Sequence, residues 1–239
     1  MTSTPPFAPP ANQAHDIAQI TTPQSLLRLL MLSSTALPVG AYCYSQGVES
    51  AIDRGLIKNE QTALNYFYDV LELMLVRYEL PMLAQMMRAC EQGETAAFQQ
   101  LAERYVASRE SRELLAETRQ LGFSLTAWVR EVARLPVSVD ERLGFLPVYA
   151  ALCVGLGLKP EECLTAYAFS QLENLTLAAV KTVPLGQISG QRILWAVYAQ
   201  VPAGVARALQ VDCVVSSSLP GLAMLSIDHE SQYSRLFRS

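Results

Sequence analysis

The sequence predicts an all-α protein, a single-domain bundle of about ten helices. Two observations carry that prediction. Apolar residues recur every three or four positions through most of the chain, as a helix with one buried face requires. Strand signals are sparse: there is no run of period-two alternation and no Asn-Gly turn to close a hairpin. No internal repeat and no linker-like stretch divides residues 24–239, which read as one domain.

The elements follow in chain order. Residues 1–23 are rich in proline and small polar residues and lack the basic region and apolar run of a secretory signal, so a disordered N-terminal tail is expected. Pro23 then opens a helix carrying Leu26, Leu27, Leu30 and Met31. Pro38 and Gly40 mark a corner, because proline biases Leu37 away from helix and glycine tolerates a left-handed backbone. A helix from about Ser45 to Arg54 is expected next, with Ser45 as its cap and Gly55 as its stop.

Asn59 caps a long amphipathic helix whose Leu64, Phe67, Tyr68, Leu71, Leu75 and Tyr78 share one face. Pro81 should kink or interrupt it; the pattern resumes at Met82 and ends near Gly93. Between Glu94 and Arg134 two helices are expected, with dense charges of both signs that read as a solvated outer face. Residues 143–158 form the most apolar run. It is too short to cross a membrane and reads as a buried helix or as one facing another subunit. Helices at about 161–181, 184–199 and 203–216 complete the bundle, with Pro184 at the first position of its helix. A break at residues 216–221 leaves the carboxyl end, from Leu222, with little core to join.

Composition excludes several function classes. Hydrophobic residues make up 51% of the chain and charged residues 17%, where a quarter is usual. Either the core is large or apolar surface is shared with a partner. A net charge of −4 argues against a nucleic-acid footprint, and no stretch is long enough to enter a membrane. Lysine occurs only at Lys58, Lys159 and Lys181; the other basic residues are arginines, which suit paired carboxylates at interfaces. The five cysteines, Cys43, Cys90, Cys153, Cys163 and Cys213, are odd in number and form no CxxC, as expected of a cytoplasmic chain with free thiols.

Candidate chemistry is thin. The histidines are His15 and His229. A thiol nucleophile would have to pair Cys43 with His229, and nothing in the sequence places them together. Scattered cysteines and two histidines make no metal-ligand cluster. There is no Walker sequence and no GxGxxG after a strand. No catalytic residue, metal ligand or cofactor site is therefore assigned, and the profile is that of an interaction protein.

Three stretches sharpen this reading. Residues 37–49 read LPVGAYCYSQGVE, residues 181–192 read KTVPLGQISGQR, and residues 229–239 read HESQYSRLFRS. In this order and spacing the chain resembles the urease accessory protein family UreF, from residue 26 to residue 239. The resemblance implies a non-enzymatic, cytoplasmic, all-α homodimer that binds the UreD/UreH accessory protein. It further implies that this complex recruits the GTPase UreG and docks on apo-urease for GTP-dependent nickel insertion, with modulation of the GTPase as an added role. The alternatives are a thiol enzyme using Cys43 and a purely structural helical dimer.

The resemblance also implies partner-binding residues. The first stretch supplies Tyr44, Ser45, Gln46 and Glu49. The position of Gln46 is often histidine in the family, so a role needing an imidazole is put in doubt while a hydrogen-bonding role survives. The middle stretch supplies Lys181, Gln187 and Gln191; the two glutamines read equally well as a buried amide pair or as binding surface. Lys181 could instead cap its helix. The last stretch, within a partner-binding tail at 222–239, supplies His229, Glu230, Tyr233, Arg235, Leu236, Phe237 and Arg238. Deleting residues 230–239 is expected to leave folding intact and to abolish UreD/UreH binding.

Overall fold

The computed structural model describes residues 21–136, 139–183, 185–212, 220–233 and 235–238. Most of the expected N-terminal tail, Pro184, Cys213 and most of the break at 216–221 lie outside these residues. All regular structure among the described residues is helical. Helix α1 (Pro23–Ser33) starts where proline predicted, and the Thr22 hydroxyl accepts from the Ser25 amide as its cap. Thr22 and Pro23, placed in the expected tail, thus already belong to α1 and its cap. Helix α2 spans Val48–Asp53 and α3 spans Glu60–Asp69; Asn59 and Thr62 close a reciprocal capping box on α3.

Helix α4 (Leu80–Glu91) continues α3 without the predicted interruption at Pro81. The ten residues Val70–Glu79 between them are π-helical, and the Leu80 amide donates to the Leu75 carbonyl five residues back. A proline ring clashes with an α-helical carbonyl one turn earlier, and the wider register ahead of Pro81 relieves that clash while the rod runs on. Helices α5 (Thr95–Ala107) and α6 (Arg112–Trp128) follow. Helix α7 (Phe145–Gly155) packs on α4 and α6. Its residues from Leu146 to Cys153 are all buried, so the most apolar run belongs to this chain's own core rather than to a subunit contact.

The 23-residue α8 (Pro160–Thr182) is the central strut, touching α1, α2, α4, α9 (Gly186–Tyr198) and α10 (Val201–Leu209). Helix α10 ends well before residue 216. Helix α11 (Pro220–Ser231) lies against α2 and α6, so the carboxyl end has a core to join after all. Its Leu225, with Phe237 beyond it, is buried in the common core.

One buried ionic group of the core centres on Glu79. Glu79 accepts from Arg109 Nη1 at 3.0 Å and from the Tyr167 hydroxyl at 2.8 Å, and the Arg109 guanidinium lies 4.4 Å from the Tyr105 ring centre. Both carboxylate oxygens are satisfied, which is what makes the burial tolerable. Nearby, α6 meets the turn before α7 at Gly122. A Cβ there would lie 2.6 Å from the Gly144 carbonyl carbon and 2.8 Å from its oxygen, both backbone atoms that cannot rotate away. Gly122→Ala is expected to lower stability by about 1–3 kcal/mol, read as a reduced denaturant midpoint with an unchanged slope.

Candidate functional site

The corner at 37–49 is built by backbone geometry. Gly40 takes φ 82°, Ala41–Cys43 make one 3-10 turn, and then Gln46 and Gly47 take φ 48° and 85°. Two successive left-handed residues cannot belong to an α-helix, so α2 starts at Val48 rather than at Ser45. The Ser45 hydroxyl still reaches the new helix, accepting from the Glu49 amide at 3.4 Å. Gly47 is confined in a second way: a Cβ there would lie 3.2 Å from Leu222 Cδ1 and 3.3 Å from Leu225 Cβ on α11.

Two side chains, half-buried Asn174 and buried Glu117, fix the corner from outside. Asn174 of α8 donates through Nδ2 to the carbonyls of Ala41 (3.0 Å) and Tyr44 (3.3 Å). Gln46 Nε2 donates to Glu117 Oε1 of α6 at 2.7 Å. The hydrogen-bonding role left open for Gln46 is thus filled inside the chain. Glu117 is 3% exposed, within the charged region that the sequence suggested was a solvated face.

The tail folds back onto this corner through Glu49, which is 4% exposed. Glu49 Oε1 accepts from the Leu236 amide at 2.7 Å; Oε2 accepts from the Phe237 amide at 3.1 Å and faces His229 Nε2 at 3.2 Å. His229 is fully buried, and its Nδ1 lies 2.6 Å from Glu113 Oε2. The other Glu113 oxygen accepts from Arg235 at 2.6 Å. The Arg238 amide donates to the Cys43 carbonyl at 2.9 Å, and its guanidinium hydrogen-bonds Tyr44. Burial raises the Tyr44 phenol above its ordinary range, and the Arg238 bond partly offsets this.

Helix α11 is pinned along its length. Ser226 and Ser111 hydroxyls are 2.5 Å apart, Asp228 pairs with Arg54, and Gln232 accepts from Ser50 at 3.2 Å. Glu230 accepts from the Arg112 amide at 2.8 Å, placing a carboxylate at the start of α6, where the helix dipole favours it. Lys181, in the last turn of α8 as expected, lies 5.9 Å from the Phe237 ring centre.

The fold therefore gathers Tyr44, Ser45, Gln46, Glu49, Lys181, His229, Glu230, Arg235, Leu236, Phe237 and Arg238 around one corner. Of these, Tyr44, Ser45, Glu49, His229 and Phe237 are buried. Tyr233 and Leu236 project outward, with Leu236 70% exposed. Gln187 and Gln191 sit elsewhere, on the exposed side of α9, which packs chiefly on α3 and α8, so they form no buried amide pair. Sequence reasoning did not single out Glu113, Glu117 or Asn174. No sequence signal marks Asn174, which follows Glu173 in a helix that also carries Glu161, Glu162 and Lys181.

Catalytic readings gain nothing here. Both ring nitrogens of His229 face carboxylates, so neither is left for Cys43, which is half-buried. Burial, with Glu91 nearby, pushes the Cys90 thiol up to about 11. No group of three or more metal-ligating side chains occurs among the described residues. Glu49→Ala is expected to cost about 3–5 kcal/mol, because it strands a buried histidine and two amides. Asn174→Ala should cost about 1 kcal/mol. Chemical denaturation checks both, and an equal, small loss for the two would contradict the weight placed on Glu49.

The UreF family model matches residues 57–198. A urease accessory protein UreF of Nitrosospira multiformis is 41% identical over 223 residues, covering 90% of this chain and 98% of the relative. A urease accessory protein UreF of an Azoarcus species is 43% identical over 224 residues, covering 90% and 95%. One from Pseudomonas aeruginosa is 38% identical over 221 residues, covering 90% and 99%. On the matched helical region and these near full-length relatives, the chain belongs to the UreF family of urease accessory proteins.

Proposed function

We propose that the chain is a scaffold and regulator in urease maturation: a cytoplasmic homodimer that binds UreD/UreH, recruits the GTPase UreG and docks on apo-urease for GTP-dependent nickel insertion. The observation that supports it best is the division of the tail into two faces. Its inner side is spent on Glu49 and the core, while Tyr233, Leu236, Arg235 and Arg238 face solvent. Exposed aromatic, leucine and arginine side chains on a held backbone are a favourable surface for a protein partner, because little ordering entropy remains to be lost. Tyr42, also exposed, extends that surface across the corner.

Pairing with a second copy has a surface of its own. On α1, Leu26, Leu27, Leu30 and Met31 are all half-exposed or more, beside a groove lined on the α8 side by Ala166 and Phe169 together with Glu161, Glu162 and Thr165. An apolar stripe beside a groove of mixed lining can bury itself against its own copy around a two-fold axis. The cytoplasmic assignment is supported by Cys43, Cys90, Cys153 and Cys163 all being free thiols. Among the described residues, no helix is long and apolar enough to cross a membrane.

The tail's inner contacts change how its role is tested. Deleting residues 230–239 would strip Glu49 of its amide partners, so folding and binding would fail together. Replacing Tyr233 and Leu236 by alanine leaves the inner contacts in place. This double variant is expected to keep its denaturation midpoint and lose UreD/UreH affinity by about tenfold or more, read by light-scattering chromatography and titration. Undiminished affinity would remove the tail from the interface. In the same chromatography the unsubstituted chain should elute as a dimer, Leu30→Glu should elute as a monomer, and UreG should join only once UreD/UreH is present. GTP turnover of UreG that does not change in the assembled complex would remove the regulatory half of the proposal.

A further inference from the structure

The π-helical stretch, the turn between α5 and α6, α6 itself, the corner and α11 meet around a cavity of about 30 Å³. Tyr78, Arg109, Glu110 and Gln46 bring polar groups to it, and Leu222 of α11 forms part of its apolar wall. Two of the polar groups are buried donors without a partner among the described residues. The Tyr78 side chain is 2% exposed, and its hydroxyl meets no acceptor in hydrogen-bonding geometry. Arg109 Nε, whose N–H can only donate, is also buried and unpartnered.

Neither donor is free to turn elsewhere. Arg109 Nη1 donates to Glu79 at 3.0 Å and Nη2 donates to Ser108 Oγ at 3.1 Å. The guanidinium also lies 4.4 Å and 5.9 Å from the ring centres of Tyr105 and Tyr78. A planar group held at both Nη atoms has its Nε direction fixed as well. Burial raises the Tyr78 phenol above its ordinary range and nearby Ser108 offsets this in part, but the Ser108 hydrogen goes to the Tyr105 carbonyl at 2.7 Å. Buried donors without an acceptor are costly, and ordered water meets them where the space is polar and large enough. One water needs about 10–15 Å³, so a cavity of about 30 Å³ admits one or two. Charge selects against an ion. Arg109, the cation of the lining, is already paired with Glu79, and Glu110 adds a further carboxylate, so an anion is repelled. A cation would face the guanidinium itself. A small neutral molecule that both accepts and donates fits the lining.

We propose that this cavity is a hydration site, in which the Tyr78 hydroxyl and Arg109 Nε hold one or two water molecules that join the buried Glu79–Arg109 pair to Gln46 at the corner. The water is the shared acceptor for both donors and returns its own protons to Glu110 or to the Gln46 side-chain oxygen. Gln46 carries the connection onward, since its Nε2 donates to Glu117 at 2.7 Å. A chain of hydrogen bonds then runs from Glu79 in the core through Arg109, the water and Gln46 to Glu117 on α6. The site concerns hydration alone and is independent of the scaffold role proposed above.

A high-resolution crystal structure of the full-length chain tests the site directly. Density is expected within about 2.7–3.2 Å of both Tyr78 Oη and Arg109 Nε, and it should weaken in Tyr78→Phe. No density between the two donors would overturn the proposal, as would a Ser108 hydroxyl found accepting from Tyr78. A bromide soak checks the charge argument: anomalous signal at this position would overturn the assignment to water, and density without that signal supports it. Chemical denaturation gives a second, independent sign. If the Tyr78 hydroxyl bonds water, Tyr78→Phe should lower the folded-to-unfolded ratio by about fivefold. If the hydroxyl has no partner, its removal leaves that ratio unchanged or raises it, and either result would overturn the proposal. Neither experiment reads partner binding, so failure of the hydration site and failure of the scaffold assignment are distinguishable.

Discussion

The burial of one carboxylate, Glu49, sets the terms for the rest of the corner. A carboxylate taken out of water must be given donors, and α2 by itself can offer none to a side chain pointing away from it. The donors come from residues nearly two hundred positions later, the amides of Leu236 and Phe237 and the ring of His229. The first and last stretches of the domain are therefore a single structural unit. The cost of opening that unit is the cost of exposing or stranding Glu49, not merely the loss of a few apolar contacts.

That constraint accounts for the local backbone. To aim Glu49 at the tail, α2 must begin late and at an angle, and the left-handed pair Gln46 and Gly47 provides the turn. A glutamine is not at ease at φ 48°, and its bond to buried Glu117 holds it there. Gly47 must also admit α11 to within van der Waals contact, which no larger residue would allow at that φ. Asn174 ties the incoming carbonyls to α8. A wholly apolar seam could have buried as much surface, but it would slide. Directional bonds to named amides specify one register for the tail, which a recognition surface needs.

Much of the fold was legible because helical periodicity and its punctuation are local. Pro23, Asn59, Gly55 and Gly93 each stop or start a helix where the sequence suggested, and the last two do so with φ near 70°. The π-helical stretch was not legible, since Pro81 announces a missing N–H but not how the preceding turns will absorb it. The three motif stretches were legible as candidates, and the fold brings the first and last together with Lys181. The roles were harder to read. Glu113 and Glu117 sit among alternating charges that look solvated; Glu113 meets His229 and Arg235 far along the chain, and Glu117 meets Gln46 of the corner. Gln187 and Gln191, although part of the same middle stretch as Lys181, point away on α9; Gly190 between them is the residue that packs, within 2.6 Å of Val180 for an added Cβ.

The distribution of chemistry within the tail then limits what it can be for. Residues 229–238 alternate in use: His229 and Phe237 are committed inward, while Tyr233, Arg235, Leu236 and Arg238 retain exposed surface. Arg235 and Arg238 also make bonds within the chain, one to Glu113 and one to Tyr44. A partner that engages these arginines must compete with, or extend, bonds that keep the tail closed. In the proposed scaffold role, binding at the outer face and closure at the inner face would share the same side chains. An acidic partner would draw the guanidinium of Arg235 away from Glu113 and deprive that carboxylate of its cation. Recognition by an aromatic or apolar surface, built on Tyr233 and Leu236, leaves the inner bonds whole. For the proposed interface the energetics favour the second mode, with the arginines as part of the frame on which the apolar contacts would be mounted.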